Sequence, residues 1–208
     1  MWIARFALAL ALACGGAQAS QVKVPEGPSA GVRYVADWAA HAGDNAGLPF
    51  AVIDKVDGRI FMYDAQGRLQ AAAPALTGAA AGDQSVPGIG ERQIAAIRPE
   101  ERTTPAGRFQ VRMGFTPKGE DIVWVDYDNA VALHRVVTHV PQERRLQRLA
   151  SKVPQDRRIT YGCINVPADF YDNVVKPAFA GGGVVYILPE QRQPQELFGP
   201  GAGALAGR

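Results

Sequence analysis

Thr160-Tyr161-Gly162-Cys163-Ile164-Asn165, running straight into Val166 and Pro167, is the stretch on which the reading of the whole chain turns. Gly162 lets the backbone turn sharply and lets another group approach closely. The consecutive backbone N–H groups of Tyr161, Gly162 and Cys163 are placed to converge on an oxyanion. Pro167 suits the first turn of a short helix over 167–175, with Asp169 at its positive end. A helix start aimed at the sulfur would favour thiolate over thiol. This is a setting for a reactive cysteine.

The N-terminus sharpens that point. Arg5, the apolar run Phe6 to Ala13, and Ala17-Gln18-Ala19 read as a secretory signal peptide over 1–19, with cleavage after Ala19. The run is too short to cross a bilayer core, so no stable membrane insertion is expected. Lipidation at Cys14 is the competing reading, weakened by Ala11 where a larger aliphatic is usual. Cleavage after Ala19 removes Cys14 and leaves Cys163 as a lone thiol in an oxidising compartment. Such a thiol is buried and inert, pairs with another chain, or is a nucleophile.

Composition narrows the class. The chain has 208 residues, 47% hydrophobic and 20% charged, which excludes a disordered chain and gives one domain with a sizeable core. With 23 glycines, 15 prolines and only 8% aromatics, it reads as many turns and short elements rather than a helical bundle. A net charge of +2 is too small to drive nucleic-acid binding.

Outward from the cysteine, the elements follow from their patterns. Ser29 caps a helix over 31–42 with Val32, Val35, Ala36 and Ala39 on one face. Residues 49–54 and 59–63 read as a hairpin turning through Asp57-Gly58. Leu69 to Leu76 continues it, with Pro74 at an edge. The long Gly-, Ala- and Pro-rich segment 78–104 reads as a flexible flap. Strands are expected over 108–113, 122–127, 130–137 and 183–188, and a helix over 141–151 with Leu146 and Leu149 on one side. Arg144, Arg148 and Lys152 share its other side, a solvated face or a contact for an acidic partner. The organisation is therefore 1–19 signal peptide, 20–48 helix-containing lead-in, 49–188 catalytic domain and 189–208 flexible tail.

The three histidines are His41, His134 and His139, with no dense ligand cluster, so no metal and no cofactor is expected. A Cys and a His without metal or second thiol point to acyl transfer.

These residues carry a family resemblance. The segment from Ala132-Leu133-His134 to Thr160-Tyr161-Gly162-Cys163-Ile164-Asn165 resembles the catalytic stretch of the L,D-transpeptidases, a histidine followed by Ser/Thr-His-Gly-Cys-hydrophobic-Asn. Thr104-Pro-Ala-Gly-Arg-Phe109 is similar to an upstream turn of that family, and the hairpin from Phe50 to Tyr63 to its opening strands. The chain departs from the pattern at Tyr161, where the family has histidine, and in a longer spacer between His134 and Thr160.

The resemblance implies a mainly β fold, sandwich-like mixed sheets with a few short helices. It implies an exported enzyme of the periplasm or cell envelope acting on peptidoglycan tetrapeptide stems. Cys163 is then the nucleophile and His134 the base, with His139 as alternative. Tyr161, Gly162 and Cys163 supply oxyanion N–H groups, and the Arg135 carbonyl orients the histidine ring. Thr160 and Asn165 line or support the substrate loop. Arg157 and Arg158 bind a stem carboxylate or are merely solvated. The acceptor is another stem, a protein lysine, a D-amino acid or water, so a stem hydrolase on the same site, or a non-catalytic wall-binding relative, are the rival readings. The oligomeric state is not readable.

Overall fold

Ser29 caps the first helix as the pattern predicts. Its hydroxyl accepts from the Val32 N–H, and α1 (Ala30–Ala42) buries Val32, Val35, Ala36 and Ala39. The computed structural model describes residues 27–200, so the 1–19 segment, including Cys14, lies outside the described residues. The strands follow as β1 (Phe50–Asp54), β2 (Arg59–Tyr63), β3 (Leu69–Pro74), β4 (Thr77–Gly78), β5 (Gly107–Phe115), β6 (Asp121–Asp126), β7 (Val131–Arg135), β8 (Arg158–Thr160), β9 (Ile164–Val166) and β10 (Gly183–Ile187). Eight of them form a mixed sheet in the order β3-β2-β1-β10-β5-β6-β7-β9, while β4 pairs with β8. The fold is mainly β with a few short helices.

Two features give the sheet its layers. The β1–β10 pair is parallel and fully buried, so both of its faces must be covered. Phe50, Val52, Val184 and Tyr186 point to α1, and Ala51, Ile53, Val185 and Ile187 point to the opposite side. The nine-residue β5 belongs to both halves of the sheet. Gly107 to Val111 pair with β10, and Arg112 to Phe115 pair with β6. Val123, Val131, Leu133 and Ile164 from the far half share one core with Ile53, Ile60 and Met62 from the near half. Each large apolar side chain so buried contributes roughly 1.5–3 kcal/mol.

Several expected elements differ. The helix over 141–151 breaks at Arg144, whose φ of 50° separates a 3₁₀ turn (Pro141–Glu143) from α2 (Arg145–Ala150). The break leaves Leu146 exposed and dissolves the stripe. Arg148 bonds the Glu143 and Asp156 carbonyls. The segment 167–175 becomes α3 (Ala168–Phe170) followed by a π turn over Tyr171–Val175.

The segment 78–104 is no loose flap. It holds three 3₁₀ turns, and Lys55, itself buried, bonds Gly82 and Thr104 carbonyls and the Asp83 carboxylate. The described part of the tail beyond Pro189, residues 190–200, is also packed. Glu190 pairs with Arg158 and lies 3.6 Å from Lys55, and Phe198 is buried against Trp38 and Tyr186.

Candidate active site

Parallel pairing of β7 with β9 assembles the site. Leu133 registers with Ile164 and His134 with Asn165. Side chains alternate along each strand, so Leu133 and Ile164 enter the core while His134 and Asn165 share the opposite face. Cys163, just before β9, takes that same face beside Ala132. The Ala132 N–H points at Sγ from 3.5 Å, and Sγ lies 3.6 Å from the Ala130 carbonyl. Cys163, His134 and His139 all line one groove of about 610 Å³, together with Trp124, Ile122 and Glu120. Strand alternation does not separate the two histidines, because β7 ends at Arg135 and His139 lies in irregular, exposed chain.

The loop around Cys163 is held from both sides. Thr160 Oγ1 donates to the Cys163 carbonyl (2.6 Å) and accepts the Gly162 N–H (3.2 Å). Thr104 Oγ1 donates to the Gly162 carbonyl (2.8 Å) and accepts from Gly78. Gly162 has a φ of 131°, and a Cβ there would stand 2.8 Å from the Thr103 carbonyl oxygen, so only glycine fits. With its N–H committed to Thr160, Gly162 is not an oxyanion donor in this arrangement. Tyr161 and Cys163 keep that candidacy. The Tyr161 ring carries the Arg102 guanidinium 4.1 Å over it.

His134 sits in a short relay. Its Nδ1 is 2.8 Å from the Arg135 carbonyl, and its Nε2 is 3.1 Å from Asn165 Nδ2. Asn165 is wholly buried, and its Oδ1 accepts from Arg145 Nη1 at 2.7 Å. Burial pushes the His134 pKa down, helped by Arg145, against the Arg135 carbonyl and Glu120. Burial pushes the Cys163 thiol up, with the Ala132 N–H and Arg145 pulling partly back. The expected thiolate-favouring helix is absent from the sulfur's side, because β9 intervenes between Cys163 and Pro167. Both directions favour the uncharged forms, a thiol and an imidazole.

Four residues expected near substrate are turned elsewhere. Arg157 is buried and bonds the Asp57, Gly58 and Ser151 carbonyls, tying the β1–β2 turn to the segment before β8. Arg158 pairs with Glu190 and reaches the Ala80 and Lys55 carbonyls. The two arginines are turned away for one reason, since a guanidinium that finds buried carbonyls or a carboxylate is not left for solvent or ligand. Thr160 staples the loop and Asn165 holds His134. Arg135 does line the groove, paired with Asp121 and Asp172 and stacked on Tyr171. Arg145 was not singled out by the sequence. No motif marks it, and only the break at Arg144 turns it inward.

Among the described residues no group of three or more His, Cys, Asp or Glu is placed to hold a metal, and no helix is long and apolar enough to cross a membrane. No family model and no curated protein matches the chain. Among solved structures, the helical cell shape determining protein Pgp2 of Campylobacter jejuni matches at 13% identity and a TM-score of 0.45, over 70% of this chain and 49% of that one. Its K307A mutant matches at 14% and 0.46, over 80% and 58%. The LD transpeptidase LdtMt1, in complex with imipenem, matches at 13% and 0.36, over 67% and 58%. The chain thus spans about half the length of these remote structural relatives.

Proposed function

We propose that the protein is an exported cysteine acyltransferase of the L,D-transpeptidase type, acting on peptidoglycan tetrapeptide stems. The observation that supports it is the placement of Cys163 and His134 on one sheet face in one groove, with the histidine ring already tethered at Nδ1. Substrate entry exchanges the Asn165 contact at Nε2 for the thiol proton. Sγ then attacks the carbonyl of the third stem residue, and the thiol proton passes through His134 to the departing D-alanine amine. The S–C bond forms first, giving a tetrahedral oxyanion to which the Tyr161 and Cys163 N–H groups donate, and its collapse breaks the C–N bond. An acceptor amine next attacks the thioester, and its proton returns through His134 to Sγ. Water as acceptor makes the same site a stem hydrolase.

The test is intact-protein mass spectrometry after exposure to a carbapenem, alongside D-alanine release from a tetrapeptide stem. A single adduct lost in Cys163→Ala, with D-alanine release lost too, is the expected result. A folded protein that forms no adduct and releases no D-alanine makes it a non-catalytic relative. N-terminal sequencing from the native envelope is expected to begin at Ser20, and a lipid-modified Cys14 would tether the protein instead.

A further inference from the structure

We propose that Arg145 is a positioning residue that keeps His134 unprotonated at Nε2, by dictating which end of the Asn165 amide faces the ring. The proposal rests on His134 being the base and asks what holds it ready.

The logic is one of donors and acceptors. A guanidinium donates and never accepts, so the Asn165 atom 2.7 Å from Arg145 Nη1 must be the oxygen. The amide nitrogen then necessarily faces His134 Nε2, at 3.1 Å, and it too only donates. Nε2 must therefore carry a lone pair, and the proton sits on Nδ1, where the Arg135 carbonyl accepts it at 2.8 Å. An imidazolium would set an Nε2–H against an N–H of the wholly buried Asn165. Without Arg145 the amide is free to turn over and offer its oxygen to a charged ring.

Arg145 is itself fixed for this task. Its side chain is 11% exposed, and Nε donates to Glu143 Oε2 at 2.6 Å. It comes from the segment that lengthens the spacer between His134 and Thr160, so the insertion supplies the lock. The other groups around the ring do not displace it. Glu120 is the acid that favours the charged ring, Asp121 is held by Arg135 and Lys176, and Lys118, His139 and Cys163 complete the groove. The directions of the His134 and Cys163 pKa values agree with a neutral pair.

The experiment is a ¹⁵N titration of the histidine side chains in the mature chain, with His41 and His139 signals identified by their own substitutions. Wild-type His134 is expected as the Nδ1–H tautomer, with a midpoint below the ordinary value of about 6.5. Arg145→Met raises that midpoint by about 1 pH unit or more, and Arg145→Lys, which keeps donor and charge, restores it. Asn165→Asp raises it further, since a carboxylate accepts from a protonated Nε2. A wild-type midpoint in folded Arg145→Met, or a lysine variant that behaves like methionine, overturns the proposal. Should Arg145→Met not fold, an unmoved midpoint in Asn165→Asp overturns it alone. No substrate enters this measurement, so failure to react with a carbapenem sinks the enzymatic reading and leaves this one standing.

Discussion

Thr104 grips Gly162 across 58 residues of sequence, its hydroxyl donating to the Gly162 carbonyl at 2.8 Å while accepting the Gly78 N–H at 2.8 Å. One side chain thereby joins the end of the long 78–104 segment, the end of β4 and the turn that carries Cys163. Thr104 is 1% exposed, so removing its hydroxyl leaves a donor and an acceptor buried without partners.

Thr104→Val is accordingly expected to cost about 2 kcal/mol in denaturant unfolding, and Thr104→Ser to recover most of it. Gly162→Ala combines an unfavourable φ with a clash against the Thr103 carbonyl, and should cost roughly 1–3 kcal/mol. Both variants should also slow acylation of Cys163, because the loop that presents the sulfur shifts. Unchanged stability in both would mean that the loop is held by something other than these contacts.

Burial raises the Cys163 thiol above its ordinary range, so its folded form holds a proton that the unfolded form has already lost. The stabilisation from this group is complete below the unfolded thiol pKa and is lost as pH rises through the folded one. Iodoacetamide alkylation of the protein should therefore show a midpoint above about 8.5, and no fast thiolate reaction at neutral pH. A midpoint below that value would restore the thiolate picture drawn from the sequence.

His134→Ala and His139→Ala should separate cleanly. The carbapenem acylation rate is expected to fall about 100-fold or more without His134, in line with the loss of a general base. His139, exposed at the groove rim, should change it by less than about threefold, within what a surface substitution does. Loss confined to His139→Ala would move the base to the irregular segment after β7.

Lys55 is 1% exposed and neutralises Asp83 and Glu190 together. Lys55→Met should destabilise by about 3–5 kcal/mol, because two carboxylates then stay buried beside a single cation, Arg158. Proteolysis at low protease concentration should cut first within 78–104 or after Leu188 in that variant. Resistance equal to wild type at both places would show that the clasp does not hold these segments.

Local pattern was enough for much of the frame. Ser29 with its apolar i, i+3, i+4 partners specified α1. The hairpin of β1 and β2 followed from two apolar runs around Asp57-Gly58, and Pro74 put β3 at the sheet edge. The Gly162-Cys163 turn was legible because a positive φ and a close approach leave only glycine. These features depend on nearest neighbours in sequence, and so does their signal. What the tertiary structure alone decided was how long polar side chains are used. Arg157 and Arg158, read from the sequence as stem-carboxylate ligands or solvated charges, and Lys55, which no motif marks, became internal ties once distant carbonyls and carboxylates were folded against them. Arg145 had no motif at all. Its contact with Asn165 exists because Arg144 takes a left-handed conformation and β7 pairs with β9, a meeting of segments that no local preference encodes. Long charged side chains satisfy whichever partner the fold brings near, so their roles are written in the packing rather than in the residues beside them.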